Sequence, residues 1–294
     1  MKNNIITLII LLGLPLYIKG QSLLDKLEKE PIDTTKQYVL STFKGTHISI
    51  GHSIETRKKN TLEVSFMSRY WNTPQESSNS FVADKMCTRF GLDYGVTNKL
   101  TLGAGIGTPN GIIDTYAKYR LVQQRTDNTG IPFGITLLQT ASYRSRVLKG
   151  KPIENRSGFG NRLAFTTQVL MARKFSRNFS FQIAPSFIHR SSSRSSLDPN
   201  NHFAIGFGPR YKVSNHVSLV SEYYYVANPL KSIETFGAFA LGVNWEVSKL
   251  LLQFKMTNNQ IFTEDTFITQ TTRNFNTRDG NFFFGFHATY HIQL

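Results

Sequence analysis

The sequence has 294 residues and little of several things. It has one cysteine, Cys87, which excludes an intramolecular disulfide and a cysteine-based zinc site. Beyond the first twenty residues it has no apolar run long enough to cross a bilayer as a helix, and its mean hydropathy is −0.25. That argues against a helical membrane protein. It does not argue against a β-barrel, in which half of every strand faces a polar lumen. Carboxylates are scarce, with 19 Asp and Glu against 34 Lys and Arg, for a formal charge of +15. Nucleic acid is one partner that such a charge serves, but no nucleic-acid motif is present. A secreted basic protein meets phosphate chiefly on outer-membrane lipid headgroups and lipopolysaccharide, and these are the expected partners.

What is abundant is Phe and Tyr, at 23 and 12 residues, which favour strands, and Tyr also favours membrane interfaces. Residues 1–20 read as a secretory signal peptide: Lys2 gives a positive start, Ile5 to Leu16 is apolar, and Gly20 is a small residue before the cleavage point. No cysteine follows that leader, which speaks against a lipoprotein anchor. Removing Lys2 and Lys19 leaves about +13.

The terminal stretch carries the fold. Phe282, Phe284, Phe286, Ala288, Tyr290, Ile292 and Leu294 alternate with Phe283, Gly285, His287, Thr289, His291 and Gln293, a period of two that continues to the final residue. The same alternation recurs in about eleven upstream segments, starting with Thr61 to Trp71 and Lys85 to Val96. Links such as Ser214-Asn215-His216 and Val247-Ser248 are short, and those such as Arg190 to Asn201 and Asn258 to Gly280 are long. Short and long links alternate, the link near Pro109 excepted. The reading is an all-β, single antiparallel transmembrane barrel of about 12 strands over residues 61–294. Short turns and both chain ends would lie in the periplasm, and the last strand would engage the barrel-assembly machinery. Residues 21–60 form an N-terminal periplasmic segment or plug, with a short amphipathic helix at Leu23 to Glu30. Pro185 and Pro209 fall in the outward phase and predict either bulges or bends or a different strand boundary.

The inward phase places Glu63, Arg69, Lys85, Arg89, Asp93, Lys118, Arg120, Arg162, Arg210, Lys212, Glu222 and Lys255 along the lumen. Two readings stand: a cationic passage that favours anions, or a packed interior of ion pairs that holds a narrow barrel shut. Outward Tyr70, Tyr94, Tyr119, Tyr143, Tyr211, Tyr223, Trp245 and Tyr290 mostly fall near strand ends, as an aromatic girdle at the headgroups would. Arg144, Arg146, Lys149, Lys151 and Arg156 crowd one predicted outer loop, either as a lipopolysaccharide contact or as an ordinary solvated loop. The close histidine pairs, His47 with His52 and His287 with His291, lack a third ligand in the sequence pattern, so no metal and no cofactor are expected. Ser186 and His202 share the inward phase, the wrong side for bilayer lipid, and no Gly-x-Ser-x-Gly elbow is present, so no enzyme is expected.

Phe43-Lys44-Gly45-Thr46 through Gly51-His52-Ser53-Ile54-Glu55-Thr56, Arg89-Phe90-Gly91-Leu92-Asp93-Tyr94-Gly95-Val96-Thr97-Asn98-Lys99-Leu100-Thr101 and Tyr116-Ala117-Lys118-Tyr119 together resemble a Bacteroidota barrel family, domain of unknown function 5777. The resemblance covers most of the mature chain. It implies an outer-membrane β-barrel and supplies no catalytic residues. The leading functional expectation is a passive, porin-like pore for small solutes with a preference for anions. The alternatives are a non-conducting structural or surface-binding barrel and a lipid-modifying enzyme.

Overall fold

A computed structural model describes residues 36–72, 83–127, 130–146, 158–193, 195–276 and 282–294. The expected leader and amphipathic helix lie outside them, as do Lys149, Lys151 and Arg156. Residues 37–294 form one compact unit.

The alternating segments fold as β1 (Thr61–Trp71), β2 (Lys85–Gly95), β3 (Leu100–Gly107), β4 (Ile112–Val122), β5 (Gly134–Arg144), β6 (Leu163–Lys174), β7 (Phe179–Arg190), β8 (Asn201–Lys212), β9 (Val217–Val226), β10 (Phe239–Val247), β11 (Leu250–Thr257) and β12 (Phe283–Gln293). One short helix, α1 (Glu264–Thr269), interrupts the link between β11 and β12. Each strand pairs antiparallel with its sequence neighbours, and β1 pairs with β12, so the sheet is a closed 12-strand barrel. Closure explains why the alternation runs to the end of the chain: Leu62 lies opposite Ile292 and Tyr70 opposite Phe284, so the terminal strand leaves no free edge.

The barrel is apolar outside and polar inside. Phe90, Leu92, Ile106, Phe203 and Leu241 are exposed on the outer surface, whereas Glu63, Lys118, Gln168 and His287 are fully buried within. This inversion follows from the pleat, since successive side chains leave the sheet on opposite faces. The girdle candidates are outward or half-exposed. Tyr94, Tyr119, Tyr211, Trp245 and Tyr290 lie towards the rim that carries the short turns, Tyr70 and Tyr143 towards the rim of the long loops, and Tyr223 in the middle of β9.

The two prolines correct the sequence reading. Ladder pairs are missing beside Pro185 between β6 and β7, and beside Pro209 between β8 and β9, but the register on either side of each gap is unchanged. Each proline removes one donor towards one neighbour and the strand runs on without a bulge. The one register shift among the described strands is between Arg120 and Val122, where β4 meets β5.

Candidate functional site: a plugged lumen

The lumen is filled by the chain that precedes β1. This segment is tied at the short-turn rim, where Val39 N–H donates to the Gln124 carbonyl (2.9 Å) and Gln123 Nε2 donates to the Val39 carbonyl (2.9 Å). It then enters the barrel as a tight hairpin. Ile48 N–H donates to the Gly51 carbonyl (3.0 Å) and Ser53 N–H to the Thr46 carbonyl (2.8 Å). It leaves by the same rim, where Asn60 N–H donates to the Gly95 carbonyl (2.8 Å). Asn60, at φ 60°, turns the chain into β1 in the left-handed region that asparagine tolerates. From Thr42 to Ile54 every residue except Lys44 is buried.

A hairpin enclosed on all sides has no sheet of its own, so its backbone groups need partners from the wall. Lys118 Nζ donates to the carbonyls of Thr46 (3.0 Å), Ser53 (3.0 Å) and Glu55 (3.2 Å). Gln253 Nε2 donates to the Ile48 carbonyl (2.9 Å), Gln182 Nε2 to His52 (2.8 Å), and Thr136 Oγ1 to Ile54 (2.9 Å). Lys255 Nζ donates to the Ser49 carbonyl. At the hairpin tip the N–H groups of Ser49, Ile50 and Gly51 converge on Glu222 Oε2 at 2.8, 2.5 and 3.1 Å. Three successive amides make a concave anion site, and a wall carboxylate occupies it. The tip fits closely: a Cβ on Gly51 would stand 1.9 Å from the Tyr224 hydroxyl, so only glycine is accommodated.

The long loop after β11 enters the lumen from the opposite rim and narrows it. Ile261 to Thr269 are buried. Arg69 donates to the carbonyls of Asn259 and Ile261, and Arg190 forms an ion pair with Asp265 (3.3 Å). The two segments meet, since Ile50 of the hairpin shares an apolar cluster with Phe267 and Ile268, and His52 Nε2 lies 3.4 Å from Glu264 Oε1. Burial holds the imidazoles of His47 and His52 well below the usual range, so both are neutral. Burial also pushes the Glu264 carboxyl up to about 8, helped by the nearby charges of Asp114 and Asp265. For Asp265 burial pushes upward, but Arg190 and Arg144 outweigh it and hold the carboxyl down.

One pH prediction follows from Glu264. Its ordinary pKa is about 4.3, below the folded value of about 8. The folded barrel therefore binds a proton that the unfolded chain has lost, and the stability from this group is complete below about 4.3, falls with rising pH and is gone above about 8. Denaturant unfolding across this range is expected to show a stability difference between the native chain and E264Q that changes with pH in that window. A difference independent of pH would refute the assignment.

The candidate lumen residues fall into three groups. Glu63, Arg69, Arg89, Asp93, Lys118, Arg210, Glu222 and Lys255 are buried inside the barrel. Arg120 and Lys212 are half-buried near the short-turn rim, with Arg120 3.2 Å from Glu55. Lys85 is exposed at the end of β2, and Arg162 sits in a single 3-10 turn before β6, donating to the Ser145 carbonyl (3.2 Å). The interior charges are engaged: Arg89 with Asp114, Arg57 with Glu63 (2.8 Å), and Thr46 Oγ1 with Glu63 (2.8 Å).

Pattern reading missed the convergence of the histidines. His287 on β12 lies 5.4 Å, ring to ring, from His47, which lies 4.2 Å from His52, whereas His291 contacts Glu63 (3.1 Å). Among the described residues no group of His, Cys, Asp or Glu has the geometry of a metal site. Ser186 and His202 are buried with separate partners, Ser186 with Gln168 and His202 with the Asn228 carbonyl.

No curated protein matches the sequence. Among solved structures, the chain is similar to the COG4313 outer membrane channel from Pseudomonas putida F1, at 12% identity and TM-score 0.49 over 85% of this chain and 100% of that one. It is also similar to a KdgM porin, at 7% identity and TM-score 0.47 over 78% of this chain and 98% of that one. The family model for a membrane bound beta barrel domain, domain of unknown function 5777, matches residues 43–291, a span that takes in the hairpin as well as all but the end of the barrel, and the chain belongs to that family.

Proposed function

We propose that this protein is a porin-like outer-membrane conduit held closed by its own N-terminal hairpin. The short turns and the hairpin's entrance face the periplasm, and the long loops face outward. The observation that carries the reading is the grip of the wall on the hairpin: Lys118, Glu222, Gln253 and Lys255 all bind its backbone rather than its side chains. Backbone recognition gives a fitted stopper. In the closed state Lys118 and Lys255 act as its anchors. In the open state Lys118 and Lys255, freed from the hairpin, join Arg69, Arg89 and Arg210 in lining a passage for small anions, because these five outnumber Glu63, Asp93 and Glu222 inside the wall.

Reversal potentials in asymmetric potassium chloride test the selectivity once the hairpin is removed. The opened barrel is expected to pass chloride over potassium by a few-fold, and K118Q in that background is expected to reduce the ratio. A cation-selective open barrel would refute the role assigned to the basic residues. The second reading, a permanently sealed structural barrel, is favoured by the close fit of Gly51 against Tyr224, and it predicts no conductance in any variant. Neither reading assigns catalysis.

A further inference from the structure

One side of the barrel lacks negative charge. Between Asn155 and Ser221 the sequence contains a single carboxylate, Asp198. Asp198 lies in the loop between β7 and β8, at the long-loop rim, where it accepts hydrogen bonds from Ser232. At the short-turn rim the same strands present Arg173 and Arg177, both exposed, and among the described residues neither makes an ion pair. Arg173 belongs to the outward phase of β6 at its rim end, and its guanidinium lies over the ring of Phe175, 5.1 Å from the centroid. Arg177 occupies the β6–β7 turn, closed by Phe175 and Ser176 N–H donating to the Phe179 carbonyl. The neighbouring β8 end is held beside that turn by Lys212 N–H on the Asn178 carbonyl (2.7 Å).

Around these cations and below them the outer surface is aromatic. Phe175 and Phe179 are exposed with rings 5.8 Å apart, Tyr211 pairs with Phe179, and Phe181 stacks with Phe207. Arg173 leaves the wall level with Phe181 and reaches rimward to the Phe175 ring, so the guanidiniums share the rim level with Phe175 and Phe179, while Phe181 and Phe207 continue as the apolar face towards mid-wall. That is the profile of a phospholipid from headgroup to acyl chain.

We infer that Arg173 and Arg177 form a binding site for an anionic glycerophospholipid, with the phosphate between the two guanidiniums and the acyl chains along Phe181 and Phe207. Arginine binds phosphate oxygens with a two-pronged donor geometry that lysine lacks. Stacking on Phe175 keeps the Arg173 guanidinium extended towards the headgroup plane. The inference rests on the membrane placement proposed above, with the short-turn rim at the phospholipid leaflet, and not on conduction.

The test is native mass spectrometry of the delipidated full-length protein in detergent, titrated with phosphatidylglycerol or with phosphatidylcholine of the same acyl chains. The native barrel is expected to retain phosphatidylglycerol in preference. R173Q/R177Q is expected to bind it roughly tenfold or more weakly, and K249Q, on the same rim away from this face, is expected to bind as the native chain does. Equal retention of the two lipids, or undiminished phosphatidylglycerol binding by R173Q/R177Q, would overturn the site. Displacement of the lipid by millimolar inorganic phosphate would also overturn it, by making the ligand a free anion. A barrel that binds phosphatidylglycerol but conducts in no variant rejects the conduit and retains the lipid site; the reverse pair of results rejects the lipid site alone.

Discussion

Deletion of residues 42–57 is expected to convert a silent barrel into a conducting one, with steps at least about tenfold above the baseline of the intact chain in planar bilayers. The reasoning is steric first. The hairpin fills the lumen from the short-turn rim to the level of Glu222, and no strand of the wall depends on it for its ladder. Removing it leaves the sheet closed. It also frees Lys118, Glu222, Gln253 and Lys255 into a space that water can enter, and hydration replaces the lost bonds at modest net cost, about 0.5–1.5 kcal/mol for each ordinary hydrogen bond. The loop that carries α1 remains, and its Arg69 and Arg190 anchors are independent of the hairpin. The deletion is therefore expected to open a narrow passage rather than the full bore. A folded deletion variant that stays silent would assign the seal to that loop.

The second large effect is expected from K118M. Lys118 is fully buried, and its ammonium serves three hairpin carbonyls at once. Methionine keeps the length of the side chain and none of the donors. The Ser53 and Glu55 carbonyls lose this donor, the Thr46 carbonyl is left with Ser53 N–H alone, and the lumen keeps Glu63 and Asp93 without one of its cations. Removing one member of such a buried charged network costs about 3–5 kcal/mol. Much of that cost is avoided if the hairpin leaves, so the variant is expected to show intermittent openings and faster proteolysis of the N-terminal segment, while the barrel stays folded. L102M, on the outer face, is the control and is expected to change neither. A K118M barrel with the native chain's closed record and protease resistance would show that these contacts do not hold the hairpin.

The barrel was legible in the sequence because a membrane wall imposes one rule on every strand. Phe282 to Leu294 alternates since one face meets lipid and the other does not, and the same constraint marks β2 and β10. The hairpin itself was not legible, residues 21–60 being read only as a periplasmic segment or plug, and for the opposite reason. Enclosed on every side, Thr46 to Ile54 has no face to alternate against, so its serines and histidines are as buried as its isoleucines. Its stabilisation lies in backbone groups, which the sequence does not display, and in wall residues such as Lys118 and Glu222, whose inward phase is visible but whose partners are not. The prolines misled because a lost donor was read as a lost register, whereas neighbouring ladder pairs hold β7 and β8 in place. The meeting of His287 with His47 and His52 depends on the hairpin's insertion and could not be read from spacing along the chain.

The presence of residues 42–57 inside the barrel is tested most directly by thiol accessibility in reconstituted membranes. Ser49 stands at the buried hairpin tip, and Lys44 stands at the open rim. With S49C and K44C introduced separately, a membrane-impermeant maleimide is expected to label K44C within minutes and to leave S49C unmodified until the barrel is denatured, the native Cys87 being buried in both. Rapid and complete labelling of S49C in the folded, membrane-embedded protein would contradict the closed lumen.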